Sequence, residues 1–137
     1  MTAPATLTVR NVMTADIATV KTTDPVSAAI ELMTANDIGS VIVTNDGKPV
    51  GILTERDILK RVCPEHLCIK GVTVGEIMSA PLVHIKADAG LGQASSLMAV
   101  KDVRRLLVMD RQKVVGIVTQ KDVLRGTLEI FTSLASM

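Results

Sequence analysis

Nine residues, GILTERDIL at 51–59, return as GIVTQKDVL at 116–124, a displacement of 65 positions. The displacement holds well beyond these nine. Without a gap, residues 9–59 lie on 74–124 with sixteen identities in 51 positions, among them Val9/Val74, Met13/Met78, Leu32-Met33/Leu97-Met98, Asp37/Asp102, Thr54/Thr119 and Asp57/Asp122. Like-for-like exchanges such as Val12/Ile77, Thr14/Ser79 and Ile17/Leu82 extend the match. Such a repeat confines the fold, because both copies must form the same structure. A unit of about 55 residues buries too little surface to be comfortable alone. Two copies related by a pseudo-twofold axis can bury each other's sheet faces, and would leave two similar clefts between the halves. The expected domains are residues 1–65 and 66–137, with repeat cores at 9–62 and 74–127, a linker near 62–73 and a tail after about 126.

Within each copy the pattern alternates between strand and helix. Ile17–Val20 and Leu82–Ile85 are short apolar runs bounded by polar or turn residues, which predicts strands. Asp24-Pro25 predicts a helix start, with Asp as cap and Pro at the first helical position. Val26, Ala29, Ile30 and Met33 then recur at helical spacing, and Gly39 is the expected stop. Ser40–Thr44 and Val50–Leu53 flank Asn45-Asp46-Gly47, a hairpin signal that Arg111-Gln112 replaces more weakly in the second copy. A further helix begins near Thr54 and again near Thr119. The fold class is therefore α/β (α+β), two units of strand–helix–strand–strand–helix.

Composition narrows the function classes. The net charge is +1, whereas nucleic-acid binders carry a strong basic excess. The charge is uneven, −2 over residues 1–68 and +3 over 69–137, and small anions need only such local clusters. Aromatic residues make up 1%, a single Phe131, so a planar ligand must be held by aliphatic side chains and backbone. No apolar run approaches the ~18 residues of a membrane span. MTAPATLTVRN has no charged region followed by an apolar stretch, so no secretory signal is expected and the expected location is cytoplasmic.

The chemistry concentrates where the second hairpin strand ends. Thr54 stands at a natural N-cap with Asp57 three residues on, and Thr119 and Asp122 repeat the pair. One reading is a capping box that needs no ligand, although Asp is short for the reach back that Glu or Gln makes in such boxes. The other reading uses the same geometry. A helix N-terminus offers free N–H groups and a positive partial charge for phosphate, and an ionised Asp accepts both hydroxyl protons of a ribose diol. Phosphate and diol together mean a nucleotide.

The two copies of Gly-x-x-Thr-x-x-Asp, at Gly51, Thr54, Asp57 and at Gly116, Thr119, Asp122, resemble a pair of cystathionine-β-synthase (CBS) domains, a Bateman module. The openings VMTADIATV and IMSAPLVHI, whose Met13 and Met78 stand 38 residues before the motif glycines, strengthen the resemblance, which spans residues 9–131. It implies a disc-like homodimer with the two sheets of each chain packed together. It also implies an adenosine-type ligand (AMP, ADP, ATP or S-adenosylmethionine) in clefts between the paired units. Asp57 and Asp122 would bind ribose, and Thr54 and Thr119 would lie near ribose or phosphate. Ile17-Ala18-Thr19 and Leu82-Val83-His84 would flank the adenine. In related nucleotide-binding pairs, basic residues opening the second strand reach phosphates in the partner unit's site. Here these are Arg104-Arg105, whose counterparts are Gly39-Ser40. The cleft of Asp57 would then meet Arg104, Arg105 and Lys121. That of Asp122 would meet Gly39, Ser40 and Arg56.

Other signals carry less. Cys63, His66 and Cys68 match no common zinc spacing and lack a fourth ligand, so a linker is expected there and no metal. His84 suits a base contact, a proton shuttle or a partly buried strand position. Arg104-Arg105 also reads as a solvated pair. Met13, Met33, Met78 and Met98 recur in the repeat and read as core. The tail LEIFTSL suits a dimer contact or another partner. No nucleophile–base constellation, Walker loop or Gly-x-Gly-x-x-Gly stands out, so no enzyme is expected. The expected function is a sensor that binds an adenosine-containing ligand and acts on a target protein outside this chain. Ile30, Met33, Ile58, Leu59 and their repeat mates would form the apolar faces of a homodimer. The alternatives are a structural or interaction module in which the motif only caps helices, and a nucleic-acid binder using the basic second half.

Overall fold

The computed structural model describes residues 7–61 and 70–136. Cys63, His66 and Cys68, with most of the expected linker, lie outside the described residues. In chain order the elements are α1 (Val9–Val12), β1 (Thr19–Lys21), α2 (Val26–Asn36), β2 (Ser40–Asn45), β3 (Lys48–Thr54), α3 (Glu55–Arg61), α4 (Val74–Ile77), β4 (His84–Lys86), α5 (Leu91–Lys101), β5 (Arg105–Asp110), β6 (Lys113–Thr119) and α6 (Gln120–Ala135). They form two three-stranded sheets, β1-β2-β3 and β4-β5-β6. In each, the first pair is parallel and the second is an antiparallel hairpin. The expected α+β architecture is the one found.

The chain divides into two compact units, one of residues 17–82, the other of residues 83 onward together with those up to Asp16. The units are thus out of phase with the repeat and with a division near residue 65. The reason lies in two short helices that periodicity is too coarse to detect. In the first unit, Val74 and Ile77 of α4 complete a core made by Val20, Val41, Val43 and Leu53 of the sheet with Val26, Ala29 and Met33 of α2. Their repeat mates Val9 and Val12, on α1, complete the core of the other unit with Ile85, Leu106, Val108, Val118, Leu91, Ala94 and Met98. Each repeat's opening helix therefore packs in the core of the unit built on the other repeat's sheet. Burying these branched side chains supplies roughly 1.5–3 kcal/mol apiece.

Several local expectations are corrected. β1 and β4 start two residues late, because Thr19 and His84 are the first to find ladder partners, Ile42 and Leu107. Pro25, not Asp24, occupies the N-cap of α2. Asp24 turns back, its carboxylate accepting from the Lys21 N–H at 2.8 Å and its carbonyl from the Val74 N–H at 2.8 Å. α2 ends at Asp37 in the left-handed region, φ 52°, before Gly39 is reached, and α5 ends on Asp102 in the same way, φ 53°. Asp tolerates this conformation better than most side chains, so glycine is not needed. Met33 and Met98 are buried inside the units, as their reading as core expects and against their place on a dimer face. The hairpin signal at Asp46-Gly47 holds: both residues have positive φ between the paired Asn45 and Lys48, the geometry of a primed turn.

Candidate functional site

In the first unit β3 runs directly into α3 at Thr54. The Asp57 carboxylate reaches back, its Oδ2 accepting from the Thr54 N–H and from the Thr54 hydroxyl, each at 3.0 Å. The Asp57 N–H donates to Thr54 Oγ1 at 3.1 Å. In the second unit the Thr119 N–H donates to Asp122 Oδ2 at 2.9 Å and the Asp122 N–H to Thr119 Oγ1 at 3.1 Å. Asp is therefore long enough to close the box, contrary to the expected shortness. Both aspartates are buried. A buried carboxylate is costly unless hydrogen-bonded, and these bonds at the helix start meet that cost.

The motif glycines admit a crossing segment. In the first unit, Ile52 and Ser79 form an antiparallel bridge, the Ile52 N–H donating to the Ser79 carbonyl at 3.0 Å and the Ser79 N–H to the Ile52 carbonyl at 2.8 Å. A Cβ on Gly51 would lie 2.6 Å from Met78 Sδ and 2.8 Å from that same carbonyl. Thr14 bridges Ile117 in the other unit, and a Cβ on Gly116 would lie 2.6 Å from the Thr14 carbonyl. The bridge delivers a residue that sequence reasoning missed. Ser79 Oγ donates to Asp57 Oδ1 at 2.8 Å. The available signal was the hydroxyl kept at the same repeat position, Thr14/Ser79. At Asp122 a different residue takes that place: Arg125 Nη2 donates to Oδ1 at 2.7 Å.

The other expected residues gather around these starts. Ser40 pairs with Thr54 across β2–β3, and Arg105 with Thr119 across β5–β6. The Gly39 carbonyl accepts the Glu55 N–H at 3.1 Å, and the Arg104 carbonyl accepts the Gln120 N–H at 2.9 Å. Ile17 is half-buried two residues before β1. Ala18 and Val83 pack partly into the cores of their units, their carbonyls accepting the Ile42 and Leu107 N–H groups at 2.9 Å. Leu82 ends the first unit, while Val83 and His84 belong to the second. His84 is exposed, like Thr19, because a side chain on the residue before Ile85 points away from the core. Arg56, Lys121 and Arg104 are exposed. Arg105 buries its Nε without a hydrogen-bond partner. The second unit therefore carries Arg104, Arg105 and Lys121 about its helix start. The first carries Arg56 and Glu55, whose carboxylate lies beside Gly39. A groove of about 660 Å³ between α5 and α6 is lined by Met98, Val103, Arg104, Gln120, Lys121 and Leu124.

Among the described residues no group of three or more His, Cys, Asp or Glu could hold a metal ion. No helix among them is long and apolar enough to cross a membrane. What the geometry offers is hydrogen-bond acceptance from hydroxyls by two buried carboxylates, with cations close to one of them.

Comparison with known proteins agrees with this arrangement. The CBS-domain family matches the chain twice, at residues 9–63 and 74–129, and the chain belongs to that family. It is 36% identical over 115 residues to the CBS domain-containing protein YhcV of Bacillus subtilis, covering 83% of this chain and 81% of that one. It is 37% identical over 109 residues to MK0525 of Methanopyrus kandleri, covering 76% of this chain. The chain spans 56% of the length of MK0525 and 31% of that of MJ1404 from Methanocaldococcus jannaschii. Among solved structures, a hexameric CBS-CP12 protein from bloom-forming cyanobacteria superposes with a TM-score of 0.80 at 29% identity, covering 90% of this chain and 73% of that one. A conserved protein from Pyrococcus horikoshii gives 0.77 at 31%, covering 90% and 93%. CBS pairs are in general regulatory ligand-binding modules that oligomerise.

Proposed function

We propose that this chain is a non-catalytic sensor that binds an adenosine-containing nucleotide through its ribose diol, with Asp57 and Asp122 as the diol acceptors. The observation that carries this reading is the pair of buried carboxylates at repeat-related helix starts, each retaining acceptor capacity beyond its capping bonds. Arg104, Arg105 and Lys121 supply cations for phosphate, and the half-buried Ile17 and Ala18 supply the apolar backing that a purine needs where no aromatic ring exists. Binding shifts the protein toward the conformation that holds the ligand more tightly, and a target outside this chain reads the shift. A second copy of the chain is the expected partner in assembly, through the exposed apolar residues of α3 and α6 described below.

A ligand that binds only the folded state adds RT ln(1 + [L]/Kd), about 2.7 kcal/mol at a hundredfold excess over Kd. Thermal unfolding with millimolar AMP, ADP, ATP and S-adenosylmethionine tests the reading, and at least one should raise Tm by several degrees. A second reading has its own support, since both capping boxes are complete without a ligand. Unchanged Tm with all four compounds would favour that structural or interaction module.

A further inference from the structure

The two motif carboxylates are built alike but engaged differently. An ionised carboxylate has about four acceptor sites, two on each oxygen. At Asp57, Oδ2 accepts from both the N–H and the hydroxyl of Thr54, and Oδ1 accepts from Ser79 Oγ. Oδ2 is fully used and a single site on Oδ1 remains. At Asp122, Oδ2 accepts only from the Thr119 N–H, and Oδ1 only from Arg125. One acceptor site remains on each oxygen. The repeat mates do not repeat these contacts: Thr14 makes no hydrogen bond to Asp122, and Lys60, the mate of Arg125, makes no ion pair with Asp57.

A vicinal diol donates two hydrogens and needs two free acceptor sites on the carboxylate to be received whole. Resting on the diol-binding reading above, we propose that Ser79 is a specificity-determining residue: its hydroxyl limits Asp57 to one hydroxyl of a diol, whereas Asp122 receives both. Asp57 takes a second hydroxyl only by giving up a bond it already accepts, that of Ser79 or of the Thr54 hydroxyl. Ser79 sits on the bridge to Ile52, three residues before the unit ends at Leu82. The Asp122 site discriminates a ribose from a deoxyribose; the Asp57 site does not.

The Thr54 and Thr119 backbone N–H groups donate to the two carboxylates, so their NMR signals report the two sites separately. Adenosine and 2′-deoxyadenosine are titrated into the full chain and into Ser79→Ala and Ser79→Thr. In the parent, loss of the 2′-hydroxyl should weaken binding followed at Thr119 about tenfold or more, the scale of a hydrogen bond to a charged group. Binding followed at Thr54 should change less than about threefold. Ser79→Ala should raise the Thr54 discrimination to the Thr119 level, and Ser79→Thr should keep it low. Equal discrimination at both amides in the parent overturns the proposal, and this comparison needs no variant. So does a Thr54 response that Ser79→Ala leaves unchanged. Silence of both amides toward both nucleosides removes the nucleotide reading and the proposal with it, an outcome distinct from binding without discrimination.

Discussion

Ser79 and Asp57, 22 residues apart in the chain, are joined by a 2.8 Å hydrogen bond from hydroxyl to carboxylate. The bond fastens the segment after α4 to the start of α3, and its acceptor is buried. A hydrogen bond to a charged group contributes about 1.5–3 kcal/mol, less where the site is partly open to water. Ser79→Ala should therefore lower unfolding free energy by about 1 kcal/mol or somewhat more. Thr14→Ala removes an exposed hydroxyl with no such bond and should stay within about 0.5 kcal/mol of the parent. Urea unfolding of both variants checks the contrast, and equal losses would contradict it.

The motif glycines make a second, sharper prediction. A methyl group at Gly116 would stand 2.6 Å from the Thr14 carbonyl oxygen and 2.8 Å from Met13 Sδ. The methionine can rotate away, but the carbonyl is held by the Ile117 N–H at 3.0 Å. Gly116→Ala and Gly51→Ala should each cost about 1–3 kcal/mol by overpacking. Gly92→Ala, where a Cβ meets nothing within 4 Å on a helix, should be neutral or stabilising. Midpoints of chemical denaturation decide this.

The sequence made legible whatever is local. The period of Val26, Ala29 and Met33, the Asp46-Gly47 turn and the helix starts at Thr54 and Thr119 all depend on residues within a few positions of one another. What escaped depends on distant contacts. Neither VRNV nor VGEI is long enough to show a helical period, so α1 and α4 and the exchange of core residues they bring were invisible. Ser79 reads as an ordinary polar residue until the bridge to Ile52 brings it to Asp57. Asp37 ended α2 before Gly39 because the register of β2 starts at Ser40 and the chain must turn earlier to reach it. The family motif located the aspartates; it did not reveal that their second partners differ.

The second hairpin stores a strain that the first avoids. Arg111 and Gln112 hold φ of 51° and 66°, where Asp46 and Gly47 hold 52° and 78°. The left-handed region costs an ordinary L-residue roughly 1 kcal/mol, and Asn and Gly much less. Both side chains are exposed and make no side-chain hydrogen bond that the change would remove. Replacing Arg111-Gln112 by Asn-Gly should stabilise the chain by about 1 kcal/mol, offset in part by the entropy glycine adds to the unfolded state. Gly47→Ala should destabilise. Thermal unfolding that moves the other way in either variant would contradict the turn geometry.

α6 has apolar residues on two faces. Val123, Gly126 and Ile130 face the core of their unit, while Leu124, Leu128 and Phe131 are 59%, 55% and 63% exposed. The spacing of the exposed three, four and then three residues, is that of a helix-pairing stripe. Among the described residues of α3, Leu59, the repeat mate of Leu124, is 63% exposed. Contiguous apolar surface is unusual on an isolated protein, and a second chain is the expected cover for this stripe. Sedimentation at micromolar concentration should give a mass above that of one chain. Leu128→Lys with Phe131→Lys should return it to a single-chain mass. Because both residues are exposed within the chain, the double variant should change the unfolding free energy of the separated chain by less than about 1 kcal/mol. A single-chain mass for the parent would remove the stripe as an interface. An unchanged multiple mass for the double variant would move the interface elsewhere on the surface.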